Sequence, residues 1–128
     1  MFYDHQSGKI ILLGGFYYAP PDKVFTHLND AWEWDGKTWE YVTTLPRSLM
    51  ITNPNVAYDS QRQQTTLFDY KQIMTWTGGQ WNAIDVDTKP PSPRDAYVMF
   101  FDPSRNSFIV YGGISTYALD DMWEYVLP

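Results

Sequence analysis

The strongest constraint on what this chain folds into is that it repeats itself. The stretch MFYDHQSGKIILLGG at residues 1–15 aligns without a gap with MFFDPSRNSFIVYGG at residues 99–113. Met1, Phe2, Asp4, Ile11, Gly14 and Gly15 recur as Met99, Phe100, Asp102, Ile109, Gly112 and Gly113, 98 residues later. A weaker middle copy, VAYDSQRQQTTLFDY, occupies residues 56–70. Trp34 and Trp39 recur as Trp76 and Trp81, both 42 residues on, and DAWEW at Asp30 recurs as DMWEY at Asp121. Self-similarity at this spacing makes each copy one supersecondary unit that buries its apolar surface against its neighbours.

The copies are built of strands. Helical periodicity is nearly absent, and short apolar or alternating runs lie between turn residues. The runs are 9–13, 31–34, 38–42, 55–58, 65–68, 73–76, 80–84, 96–101, 107–111 and 122–126. Aromatic residues make up 18% of the chain, with nine Pro and eight Gly, a mixture that favours strands and tight turns. Each repeat therefore reads as four strands: the first ending in aromatic-Asp, the second in Gly-Gly, the third carrying Trp and the fourth opening with Trp. The repeats span residues 1–44, 45–87 and 88–128, and the last lacks its fourth strand. The fold class is all-β.

Most of the conspicuous residues have a structural explanation. Gly14-Gly15 and Gly112-Gly113 fall at strand ends, where glycine permits positive φ or close packing; no helix or lysine follows to make a phosphate loop. Asp35-Gly36 signals a tight hairpin. Trp32 and Trp34 share one face of a strand, and Trp39 faces Trp34 across the hairpin. The recurrence of that pair favours a core between repeats over a sugar-stacking platform.

Charge and composition remove several functions. Nine basic residues are scattered among fifteen acidic ones, for a formal net charge of −6, so nucleic acid is not an expected partner. Absence of cysteine removes disulfides and thiolate metal sites. The longest apolar run, residues 10–13, is too short to cross a bilayer, and no charged-then-apolar leader opens the chain. No membrane partner is expected, and the compartment is left open. His5 and His27 are the two histidines, placed by the strand order at opposite ends, and no nucleophile motif is present. The acidic DVD at residues 85–87 and Asp120-Asp121 read as solvated turns rather than calcium loops. No catalytic residue, metal or cofactor is assigned.

Taken together, the apolar-Gly-Gly ends, the D-x-W third strands, the later tryptophans and the PSPR at residues 91–94 resemble kelch repeats. The resemblance covers essentially the whole chain, and WEWDGKTW is closer to bacterial repeats than to animal ones. The middle repeat departs from the pattern: it lacks Gly-Gly after its second strand and rests on position, Trp76 and Trp81. The resemblance implies a β-propeller of about three four-stranded antiparallel blades. Closed propellers have about four to eight blades, so the expectation is either a fragment of a longer propeller or a homodimer with six blades. Kelch-like propellers include enzymes of the galactose oxidase type, whose copper chemistry depends on a cysteine-crosslinked tyrosine that a chain without cysteine cannot form.

In a four-stranded meander the turns at 5–8, 35–37 and 78–79 share one end, and the longer connections at 16–29, 43–54, 85–95 and 114–120 share the other. Long loops on a rigid scaffold carry function. The expected partner-binding residues are therefore Phe16, Tyr17, Tyr18 and His27 in the first long loop, together with Phe25, and Tyr117 in the last. Arg47 and Arg94 precede the first strands of their repeats, and either reach a ligand or pair with carboxylates such as Asp95. The expected function is non-catalytic protein binding, with self-association. The alternatives are carbohydrate binding or transformation, and a structural segment of a larger protein.

Overall fold

A computed structural model describes residues 1–21, 24–45, 55–69, 72–84 and 91–126. Among these residues there are eleven strands and no helix, so no helix long and apolar enough to cross a membrane. The chain divides into two compact units, Met1–Pro54 and Asn55–Pro128. The first holds one sheet of four strands: β1 (Phe2–Asp4), β2 (Lys9–Ala19), β3 (Val24–Trp34) and β4 (Trp39–Thr44). The second holds two sheets. One is β5 (Val56–Asp59), β6 (Gln64–Asp69), β7 (Gln72–Thr77) and β8 (Gln80–Ile84); the other is β9 (Val98–Asp102), β10 (Ser107–Ile114) and β11 (Ala118–Val126). Each is an antiparallel meander in chain order.

One aspartate-built turn opens all three sheets and explains the recurrent aromatic-Asp. The Asp4 carboxylate accepts from Gln6 N–H at 3.1 Å and Ser7 Oγ at 2.7 Å. Asp59 accepts from the backbone of Gln61 and Arg62, at 2.9 and 3.0 Å, and Asp102 from that of Ser104 and Arg105, at 2.9 and 3.3 Å. Four residues after each aspartate the chain is left-handed, at Gly8 (φ 72°), Gln63 (55°) and Asn106 (54°). An ordinary L-residue carries a cost of about 1 kcal/mol there. The middle copy accepts it at Gln63, keeping the geometry where the sequence has drifted.

The first and third sheets share a second device. β2 and β3 pair through Leu13↔Ala31 and then Gly15↔Leu28, slipping register between them; β10 and β11 slip identically between Tyr111↔Met122 and Gly113↔Leu119. Gly15 (φ 116°) and Gly113 (φ 107°) supply the backbone angle that such a bulge needs. In the middle sheet the second strand has neither Gly-Gly nor bulge, and β6 pairs with β7 in unbroken register from Thr65↔Trp76 to Asp69↔Gln72.

Packing follows strand alternation. In the first unit Phe2, Ile11, Leu13, Ala31 and Leu45 are buried. In the second, one cluster gathers Ala57, Phe68, Ile73, Tyr97, Met99, Phe108, Val110 and Tyr125. Tyr97 is pinned there by its hydroxyl, which donates to the Phe68 carbonyl at 2.7 Å.

Three expectations need correction. Residues 16–19 and 24–29 are not loop: they are the outer parts of β2 and β3, and most of 114–120 likewise belongs to β10 and β11. The segment 96–101 starts its strand only at Val98, because Ala96 is left-handed (φ 51°). The tryptophan pairs form as the register requires, with centroids 5.4 Å apart for Trp34–Trp39 and 5.3 Å for Trp76–Trp81. Their burial differs, however. Trp76 and Trp81 are core, whereas Trp39 is 43% exposed.

Candidate functional site: an aromatic ribbon on the first sheet

Beyond the bulge, β2 and β3 leave their neighbours and continue as a two-stranded ribbon. β1 pairs with β2 only up to Ile11, and β4 reaches β3 only as far as Asp30. The ribbon then runs through Gly15↔Leu28, Phe16↔His27, Tyr17↔Thr26, Tyr18↔Phe25 and Ala19↔Val24. Alternation sorts its side chains into two sets. Phe16, Tyr18, Phe25 and His27 share one face, where ring centroids lie 5.0 Å apart for Tyr18–Phe25, 5.7 Å for Phe16–Phe25 and 6.4 Å for Phe16–His27. Tyr17, Val24, Thr26 and Leu28 occupy the other.

Cross-strand aromatic pairs hold such a ribbon together, yet both faces stay open to solvent. Phe16, Tyr17, Tyr18 and Phe25 are about half exposed or more, as are Val24 and, to a lesser degree, Leu28. Residues 15–19 and 24–28 contain no acidic residue, lysine or arginine. Neither outer edge of the ribbon has a strand partner among the described residues. An uncharged, aromatic, unpaired ribbon is the sort of edge that proteins otherwise blunt with charge or proline.

The ribbon brings together Phe16, Tyr18 and His27 on one face and puts Tyr17 on the reverse. His5 sits in the β1–β2 turn at the other end of the sheet, against Tyr3 with ring centroids 4.9 Å apart. Tyr117 is 69% exposed in the β10–β11 turn of the second compact unit. Arg47, the 85–87 acidic stretch and the outer part of the 43–54 connection lie outside the described residues. Phe25, Val24 and Leu28 complete the apolar surface; the aromatic run FYY and the Pro20-Pro21 pair between the two stretches carry that signal in the sequence.

Arg94 is not presented to a ligand. It is 2% exposed, and its guanidinium is spent on protein groups. It donates to the Gly112 carbonyl at 2.9 Å, the Ser92 carbonyl at 3.1 Å, and both oxygens of Asp121, one of them at 3.0 Å. Its carboxylate partner is thus Asp121 rather than the adjacent Asp95. Trp123 Nε1–H also donates to Asp121, at 2.7 Å. The hydrogen bonds from Arg94 and then Trp123 hold the Asp121 carboxyl down at about 2. Asp95 instead forms a two-way backbone bridge with Ile114, at 2.8 and 2.9 Å. Residues 94–95 therefore act as a strap over the Gly-Gly bulge. A Cβ on Gly113 would meet Asp95 O at 2.9 Å and Tyr97 Cβ at 3.1 Å.

Compared with protein-family models and with the curated proteins, the chain matches none.

Proposed function

We propose that the chain is a kelch-type propeller segment whose role is non-catalytic protein binding through the β2–β3 ribbon. The observation that carries this reading is the ribbon's aromatic face, half exposed, uncharged and anchored in a four-stranded sheet. Aromatic side chains lose few rotamers on binding and are enriched in the centres of protein interfaces. The rings are tilted to one another by 45° to 57° rather than coplanar, which suits side-chain packing better than stacking on a flat sugar ring.

The propeller part of the proposal is supported by three successive antiparallel meanders with a common first turn. Three blades fall short of a closed ring, so the reading includes association of copies, two giving six blades. Light scattering tests that part, and a monomeric mass at high protein concentration removes it. The binding role is tested by comparing proteins captured by the full chain and by its Phe16→Ser/Phe25→Ser variant. Partners retained equally by both would refute the assignment. Specific binding on a glycan array, lost in Tyr18→Ala, would replace it with carbohydrate recognition.

A further inference from the structure

The third sheet shows an arginine strap seated on a bulge, and the first sheet carries the same seat. Gly14, Gly15 and Phe16 correspond to Gly112, Gly113 and Ile114; Asp30 and Trp32 correspond to Asp121 and Trp123, as the two registers show. The correspondence extends to side chains. Trp32 Nε1–H donates to Asp30 at 2.6 Å, as Trp123 does to Asp121 at 2.7 Å.

What sits on the two seats differs. In the third sheet, Arg94 bonds Gly112 O and Asp121 while Asp95 bridges Ile114. In the first, the Asp30 carboxylate receives only the Trp32 indole among the described residues. Apart from Gly15 and its chain neighbours, no described heavy atom lies within 4 Å of where a Gly15 Cβ would stand. In an antiparallel sheet a residue's N–H and C=O point to the same side. Ile114 directs both at Asp95, so Phe16, at the same place in the same register, directs both away from β3. The seat thus offers one carboxylate, a carbonyl at Gly14 and a donor–acceptor pair at Phe16.

We propose that the edge of β2 at residues 14–16, together with Asp30, docks an arginine-bearing extended segment of another polypeptide. The arginine spans Gly14 O and Asp30, and the residue after it adds one strand bridge at Phe16, as in other strand-addition complexes. An acidic chain of net charge −6 favours such a cation. The proposal does not rest on the aromatic ribbon, because it uses the backbone of Phe16 and leaves its ring on the ribbon face.

The test adds a synthetic peptide Pro-Ser-Pro-Arg-Asp-Ala-Tyr, the sequence of residues 91–97, to the full ¹⁵N-labelled chain. The Trp32 indole N–H reports directly on Asp30, and that of Trp123 serves as the control. The Trp32 resonance should move and saturate while Trp123 stays still. Asp30→Asn keeps an acceptor for Trp32 and should weaken binding about tenfold or more, the size expected of a hydrogen bond to a charged group. Replacing the peptide arginine by glutamine, or N-methylating the residue after it, should do the same without touching the protein. A silent Trp32, or an affinity unchanged by Asp30→Asn, overturns the proposal. So does an Arg47→Gln variant whose Trp32 resonance shifts without peptide, since the chain's own arginine would then be the occupant.

Discussion

Trp39 and Trp81 are the sharpest internal comparison that the chain offers. They hold the same place in their hairpins, each opposite another tryptophan, Trp34 and Trp76. Trp81 is 8% exposed and Trp39 43%. With about 200 Å² for the whole side chain, Trp81 buries about 70 Å² more than Trp39, worth about 1.7 kcal/mol at about 25 cal/mol/Å². A cavity term adds to this at the buried site only. Trp81→Ala should therefore cost about 3–5 kcal/mol, and Trp39→Ala about 2 kcal/mol less. The two residues lie in different compact units, so the losses are best read by denaturant-dependent hydrogen exchange, at β8 amides for one variant and β4 amides for the other. Equal losses, independent of protein concentration, would refute the reasoning. A Trp39→Ala loss that grows with protein concentration would instead show a second copy covering that face.

Three further outcomes are expected. The Asp121 carboxyl, held at about 2 by Arg94 and Trp123, lends stability that is complete above about pH 4 and fades as pH falls towards 2; an NMR titration of its side-chain carbon with a midpoint near 4 would contradict the Arg94 bonds. Burial pushes the Tyr125 phenol up to about 12, so stability should decline as pH rises from about 10 to about 12. Tyr125→Phe should remove that decline at a cost under about 1 kcal/mol, since the hydroxyl has no hydrogen-bond partner among the described residues; an alkaline unfolding curve unchanged in the variant would exclude Tyr125 as its source. Gly113→Ala should destabilise by about 1–3 kcal/mol more than Gly15→Ala, because both positions are left-handed but only Gly113 faces the strap; equal changes in urea midpoint would count against the strap's packing.

The repeats were legible because their signals are local. The turn aspartates bond residues two and three positions on, and Gly-Gly marks the bulge. The ribbon reads as a loop in the sequence for a physical reason. With both faces exposed, residues 16–19 and 24–28 show no polar–apolar alternation, and the glycines before them looked like a strand end although the strand passes through the bulge. The sequence puts Arg94 just before its strand, but its partner lies 27 residues away, a distance at which no short pattern speaks. The tryptophans show the opposite limit. Identical positions in two hairpins gave identical expectations, while burial depends on what packs against each sheet, which the hairpin sequence does not encode.

The shared bulge also separates two jobs along one hairpin. Inward of it, β2–β3 and β10–β11 keep the same pairing; outward of it, the first sheet inserts residues 17–26 where the third has only residues 115–117. Seven extra residues are thus absorbed without disturbing the paired strands on the core side. The tip of such a hairpin is an exchangeable part. Its length and chemistry can diverge from repeat to repeat, or be swapped by design, while the glycine pair keeps the change from reaching the hydrophobic interior.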